Sequence, residues 1–180
     1  MFSGRKKELK YLQNRYESNK SEFVVLYGRR RIGKTELLKQ FALDKNHIFY
    51  SAIETVDKSQ LEMFSKELLK GSELENYIDS FKSWEEAFKF LADKSKKERI
   101  LIIIDEFPYM VNGNSSIPSI LQNIWDLNLK NSKLMLVLCG SSMSFMEKEL
   151  LSVKNPLYGR LTGNYKVEEF SIYETAELLH

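Results

Sequence analysis

The sequence predicts an α/β fold in which a parallel sheet is sandwiched between helices. Three observations predict it. Apolar runs of strand type alternate with one-sided amphipathic runs along the 180 residues. Two of the strand runs, RILIIID (99–105) and KLMLVLCG (133–140), are apolar on both faces, as central strands of a parallel sheet must be. Gly28, Asp105 and Gly140 all fall at strand carboxyl ends, where open parallel sheets bind their ligands. Alternation of this kind implies right-handed crossovers.

Each element follows from its own residues. EFVVLY (22–27) is a short buried strand that ends at Gly28. TELLKQFAL (35–43) sets Leu37, Leu38, Phe41 and Ala42 at helical spacing. HIFYSA (47–52) reads as a strand. The segment 57–70 repeats Leu61, Phe64, Leu68 and Leu69 on one side of a helix, with Asp57 and Gln60 as its expected cap pair. Ser83 and Glu86 form a capping box for a helix that buries Trp84, Ala87, Phe88 and Leu91. Residues 115–130 predict another helix, with Pro118 in its first turn. NYKVEEF (164–170) alternates and predicts a strand towards the sheet edge. SIYETAELLH (171–180) opens with a second capping box, Ser171 and Glu174. Its helix has too few turns to be stable alone, so the chain reads as a fragment: a core over 1–170 and the start of a helical lid over 171–180.

Composition narrows the function classes. A hydrophobic fraction of 43% and a charged fraction of 29% are ordinary for a globular domain. The longest apolar runs fall far short of the roughly 20 residues of a membrane span, and the amino terminus carries no apolar signal region. A single cysteine, Cys139, allows no intrachain disulfide. The expectation is a cytoplasmic protein with no membrane partner. Net charge is only +2, yet residues 1–40 hold eleven Lys/Arg against four Asp/Glu. That basic segment suits a polyanion such as a nucleoside triphosphate.

The segment VVLYGRRRIGKTELL (24–38) supplies the chemistry. Gly28-x-x-x-x-Gly33-Lys34-Thr35 is a P-loop pattern, preceded by a strand and followed by a helix as the motif requires. The glycines let successive N–H groups curl round a phosphate, and the helix beginning near Gly33 aims its positive end at the anion. Lys34 brings a compact charge to the β- and γ-phosphates, and Thr35 brings a hydroxyl to Mg²⁺. Arg29, Arg30, Arg31 and Ile32 fill the variable positions and give the cradle their backbone; the phosphate-binding stretch runs on to Glu36. The arginine side chains are expected to point out of the cradle, either as solvated surface or as a contact to a partner subunit or nucleic acid.

A buried strand that ends in Asp105-Glu106 sets two acids beside this loop. Asp105 is placed to hold the Mg²⁺ water shell and Glu106 to act as general base, with Glu54 as a rival base. Pro108 limits the conformation of Phe107 and so can fix the aim of the preceding carboxylate; the alternative is a strand-ending acid pair that caps the next turn, with Pro108 stopping the strand. After the next strand, Ser141 or Ser142 can reach the γ-phosphate or the attacking water, or else cap the following helix. Arg160, in NPLYGRLTG (155–163), is a candidate for stabilising transition-state charge in cis or in a neighbour, or else a surface arginine at a turn. A guanine-specific site would need an Asn-Lys-x-Asp loop; none occurs, so ATP is the expected nucleotide.

FSGRKKEL (2–9), LYGRRRIGKTELL (26–38), LIIIDEFPYM (101–110), LCGSSMSFME (138–147) and NPLYGR (155–160) together resemble the archaeal-type ATPases of the STAND/AAA-like branch of P-loop NTPases. The likeness runs from Phe2 to about Leu179. It implies a three-layer P-loop NTPase sandwich on a parallel five-stranded sheet of order 5-1-4-3-2; the P-loop and the two carboxylates themselves support an Mg²⁺-dependent ATPase working as a conformational switch. The likeness implies that Gly4 and Arg5 lie near the adenine, that Ser141 is the polar sensor and that Arg160 is an arginine finger, which would make a homo-oligomer a partner. A protein or nucleic-acid partner would bind through a region carboxy-terminal to this chain. Two alternatives stay open: a nucleotide-binding regulatory module with negligible turnover, and a DNA-associated ATPase.

Overall fold

The computed structural model describes residues 4–170. The lid helix expected from Ser171 onward lies outside the described residues. Helix α1 spans Lys6–Glu17, strand β1 Glu22–Tyr27, α2 Lys34–Ala42, β2 His47–Ser51, α3 Asp57–Leu69 and α4 Trp84–Lys97. Strand β3 (Ile100–Asp105) leads into α5 (Phe107–Gly113) and α6 (Ile117–Ile124), and β4 (Leu134–Gly140) and β5 (Gly163–Lys166) complete the sheet. All pairings are parallel, in the order β2-β3-β4-β1-β5. Read from the other edge this is 5-1-4-3-2, the order that the resemblance implies.

Side-chain alternation along the strands makes the three layers. Phe23, Val25 and Tyr27 of β1, with Ile100, Ile102 and Ile104 of β3, pack beneath α3, α4 and α6. Val24 and Leu26, with Leu101 and Ile103, turn to the other face and meet Leu12 of α1 and Leu37, Leu38 and Phe41 of α2. Both central strands are buried at every position, which is why their sequences carry no polar alternation.

Three elements depart from the sequence reading. The N-cap of α3 is Val56 and makes no side-chain cap bond. Asp57 instead accepts from the Trp84 indole at 2.8 Å, and the Gln60 amide donates to the Ile53 carbonyl at 2.9 Å; tertiary bonds to buried groups outcompete the local cap. Strand β3 ends at Asp105, and Pro108 sits in the first turn of α5, where its missing N–H costs nothing. The helix expected over 115–130 is α-helical only to Ile124 and continues as a π-helical turn over Trp125–Leu129. The edge strand stops at Lys166, four residues short of the expected end. The Ser83 cap is present: its Oγ accepts from Glu86 N at 3.2 Å, while the Glu86 carboxylate takes the Lys82 N–H at 3.0 Å.

Candidate active site

The loop between β1 and α2 crosses the carboxyl ends of the central strands. Gly33 caps α2 with φ +87°, a conformation that costs an L-residue roughly 1–2 kcal/mol. Gly28 is fixed by crowding: a Cβ there would collide with the Val167 carbonyl oxygen and the Ile32 side chain. The buried Lys34 ammonium donates to the Arg29 carbonyl at 2.7 Å, closing the loop into a ring. Because β1 pairs with β4, and β4 with β3, the ends Tyr27, Gly140 and Asp105 come together.

The two expected metal ligands are already in contact. Thr35 Oγ1 donates to Asp105 Oδ2 at 2.6 Å. The other carboxylate oxygen of Asp105 takes the Glu106 N–H at 3.0 Å. A buried carboxylate bonded to a hydroxyl is a set of hard oxygen donors, which fits Mg²⁺ held by one carboxylate, waters and substrate phosphates. Among the described residues no cluster of three or more His, Cys, Asp or Glu forms a protein-only metal cage.

Glu106 takes the left-handed conformation, φ 52° and ψ 42°. That twist lets β3 end at Asp105 and α5 begin at Phe107 with the carboxylate half-exposed at the cavity. Its Oε2 accepts from Ser141 N at 3.2 Å and from Ser141 Oγ at 3.0 Å. Ser142 divides from Ser141 in role: its Oγ lies 3.5 Å from Phe145 N, at the start of the following helical turn. Among the described residues the non-glycine residues with positive φ are Arg5, Asn19, Arg31 and Glu106. Three of these surround the loop, where backbone strain tends to collect at working sites.

Arg30, Arg31, Lys34, Thr35, Glu106 and Ser141 line one cavity of about 450 Å³. Tyr109 lines it too, and its hydroxyl accepts from the Arg30 guanidinium at 3.3 Å. The arginines thus do not all point away from the cradle, in contrast to the sequence expectation; Arg29 alone turns to the far side, 3.6 Å from Glu169. An adjoining cavity of about 540 Å³ has Ile32, Met143 and Val167 among its walls.

Three expected residues lie elsewhere or are otherwise engaged. The Arg5 guanidinium is buried, donating to the Glu168 carbonyl at 2.6 Å, the Ile32 carbonyl at 2.7 Å and Glu8 at 3.0 Å, beneath the Phe170 ring at 3.9 Å. It braces the phosphate loop against the chain leaving β5, so only the Gly4–Arg5 backbone remains for a base. Arg160 sits three residues before β5, at the amino-terminal edge of the sheet, where Thr162 N bonds the Phe23 carbonyl at 2.8 Å. That is the opposite end from the cradle, so Arg160 does not serve its own chain's site. It grips Asp126 with two bonds of 3.1 and 2.7 Å, which hold that carboxyl below its usual range. Glu54 is exposed past the end of β2 and does not line the cavity.

Sequence reasoning assigned no role to Tyr109 or Cys139. Tyr109 could have been found by its offset: a proline-started helix beginning at Phe107 returns residue 109 to the Glu106 side, where Tyr109 N bonds the Glu106 carbonyl at 3.0 Å. Cys139 is fully buried at the end of β4, and burial first, then the nearby Asp105 carboxylate, pushes its thiol well up. It stands beside the Asp105 carboxylate.

A parallel sheet of this order, with a phosphate loop ahead of α2 and an acid pair ending β3, defines a P-loop ATPase domain. The chain belongs to the family described as an ATPase domain predominantly from Archaea, which it matches over residues 2–180. It is 42% identical over 169 residues to an uncharacterized protein of Methanocaldococcus jannaschii, covering 93% of this chain and 36% of that relative. The chain therefore spans about a third of that protein's length. In fold it is similar to the Walker-type ATPase of Pyrococcus abyssi, with a TM-score of 0.74 at 22% identity over 99% of this chain and 57% of that one. It is likewise similar to the Aeropyrum pernix ORC2 protein solved as ADPNP–ADP complexes, with a TM-score of 0.73 at 16% identity over 99% and 51%. Among the described residues no helix is long and apolar enough to cross a membrane.

Proposed function

We propose that this chain binds Mg-ATP and hydrolyses its terminal phosphoanhydride, and that the cycle works as a conformational switch. The observation that carries the reading is the 2.6 Å bond from Thr35 to Asp105 beneath the phosphate loop, with Glu106 as the next residue. The α2 amino terminus and the N–H groups of residues 29–35 receive the β- and γ-phosphates. Lys34 leaves the Arg29 carbonyl for the phosphate oxygens. Thr35 and Asp105 would hold Mg²⁺, which would supply positive charge against that of the phosphates. Glu106 orients a water and accepts its proton as the water oxygen bonds to the γ-phosphorus. The bond from that phosphorus to the bridging oxygen breaks, and ADP keeps the electron pair. Ser141, bonded to Glu106 through N and Oγ, sets the carboxylate's aim. The adjoining cavity offers Ile32, Met143 and Val167 as apolar surface for the adenine.

Phosphate release with Mg-ATP tests this. Glu106→Gln is expected to keep nucleotide binding and lose turnover; near-normal release would move the base elsewhere, and negligible release by the unsubstituted protein would favour a nucleotide-held regulatory module. A second reading is a DNA-associated ATPase. The basic first forty residues favour it, as does the fold likeness to the Aeropyrum pernix ORC1 protein in complex with DNA, at a TM-score of 0.67 and 16% identity. Filter binding across salt tests it: DNA retention that falls as salt rises supports it, and no retention at low salt removes it.

A further inference from the structure

The three consecutive arginines of the loop go to different places, and the difference assigns one of them a task. Arg29 turns to the far side of the loop, towards Glu169. Arg31 takes φ 64° and bends the chain. Arg30, between them, lays its guanidinium across the cavity mouth onto the Tyr109 hydroxyl at 3.3 Å. Tyr109 is a fixed post: its helix is anchored by the buried Phe107, Pro108 and Met110, and it stands three residues beyond Glu106. The guanidinium is thereby held in the cavity that Lys34, Thr35, Glu106 and Ser141 line. The arginine that the sequence singled out for transition-state charge, Arg160, is at the other end of the sheet and doubly bonded to Asp126.

We propose that Arg30 is a catalytic residue of this site, an in-cis γ-phosphate arginine that moves from Tyr109 onto the substrate. This rests on the ATPase reading above. Arg30 sits in the loop and so is carried to the same place in every cycle without a neighbouring subunit. A planar fork of donors suits two γ-phosphate oxygens better than a point charge does. As the water oxygen bonds to phosphorus and the bridging bond to ADP breaks, negative charge spreads over the equatorial and leaving oxygens; Arg30 donates to them while Glu106 takes the water proton. Without a γ-phosphate it returns to Tyr109, so it contributes to ATP binding and not to ADP binding.

The test is calorimetric titration with Mg-ATP and with Mg-ADP, plus single-turnover hydrolysis, on the full-length protein and its Arg30→Ala, Arg30→Lys and Lys34→Ala variants. Arg30 is exposed, so its variants should fold. For Arg30→Ala the expected result is an unchanged ADP affinity, an ATP affinity reduced about tenfold and a single-turnover rate reduced about 10²–10³-fold. Arg30→Lys should recover part of the ATP affinity and little of the rate. An Arg30→Ala protein with the original ATP-to-ADP preference and rate would overturn the proposal; if Lys34→Ala then abolished binding, the ATPase reading would stand without it. Absence of ATP binding in the unsubstituted protein would overturn both.

Discussion

Thr35 on α2 and Asp105 at the end of β3 are bonded at 2.6 Å although 70 residues separate them in the chain. The sheet order brings them together: β3 and β1 are each hydrogen-bonded to β4, and all three end at the same edge. The bond holds the carboxylate beneath the loop, at the edge proposed for the metal.

Asp105→Asn tests that edge. The amide oxygen can accept from Thr35 or from the Glu106 N–H but not from both, so the fold should persist with some loss of stability and the nucleotide affinity without metal should be largely kept. The Mg²⁺-dependent gain in ATP affinity should vanish, and turnover should fall by about 10²-fold or more. Calorimetry with ATP in EDTA and in Mg²⁺, read beside phosphate release, measures both; an undiminished Mg²⁺ effect would remove Asp105 from the metal's surroundings.

Glu106 and Ser141 make a second pair whose members should separate on substitution. Glu106→Gln is expected to cost about 10²–10⁴-fold in turnover with ATP affinity kept. Ser141→Ala removes one of two bonds to the carboxylate and leaves the backbone bond in place, so its cost should be smaller, about tenfold. A Ser141→Ala loss equal to that of Glu106→Gln would mean that the hydroxyl touches the reacting atoms directly.

Arg5 makes a prediction about stability as well as binding. Its guanidinium satisfies the Ile32 and Glu168 carbonyls. Arg5→Ala would leave them unpaired in a buried place and should cost about 1–3 kcal/mol, read as a lowered denaturant midpoint. ATP affinity should fall with it, because the phosphate loop loses its brace to the β5 exit. An unchanged midpoint would show that water replaces the side chain at no cost.

Arg160 and Asp126 predict a small effect in one assay and a telling one in another. The pair is partly exposed and screened by solvent, so its contribution to stability should be small. The folded Asp126 carboxyl titrates below its unfolded value, so this contribution is present above the unfolded value and is lost as pH falls through the folded one. Arg160→Ala should leave ATP affinity unchanged at low protein concentration. Specific activity that rises with protein concentration in the unsubstituted chain, and not in Arg160→Ala, would establish a role in a neighbour's site; a concentration-independent rate in both would leave Arg160 structural.

Much of this was legible in the residues because local rules agree with the fold. EFVVLY and LIIIDEF are apolar on both faces because the strands they form are covered on both faces, and the Ser83 box is a cap that needs no tertiary help. The phosphate loop announces itself because its glycines answer backbone demands: φ +87° at Gly33 and a carbonyl pressed on Gly28. What stayed hidden depends on distant partners. Asp57 looks like a cap residue until Trp84 arrives as its partner. Arg5 looks free to meet a base until two carbonyls, one of them 163 residues away in sequence, claim it. The direction of each arginine in the loop follows from the φ of Arg31 and the position of Tyr109, and neither can be read from composition or spacing.

The loop Gly28–Thr35 is proposed to hold the phosphates of Mg-ATP. The most direct measurement is titration calorimetry of Mg-ATP into the full-length protein and its Lys34→Ala variant. Saturable binding at a 1:1 ratio in the first, weakened at least about 10²-fold in the second, is the predicted result. Equal affinity in the two proteins, or no binding in either, would mean that this loop does not hold the phosphates.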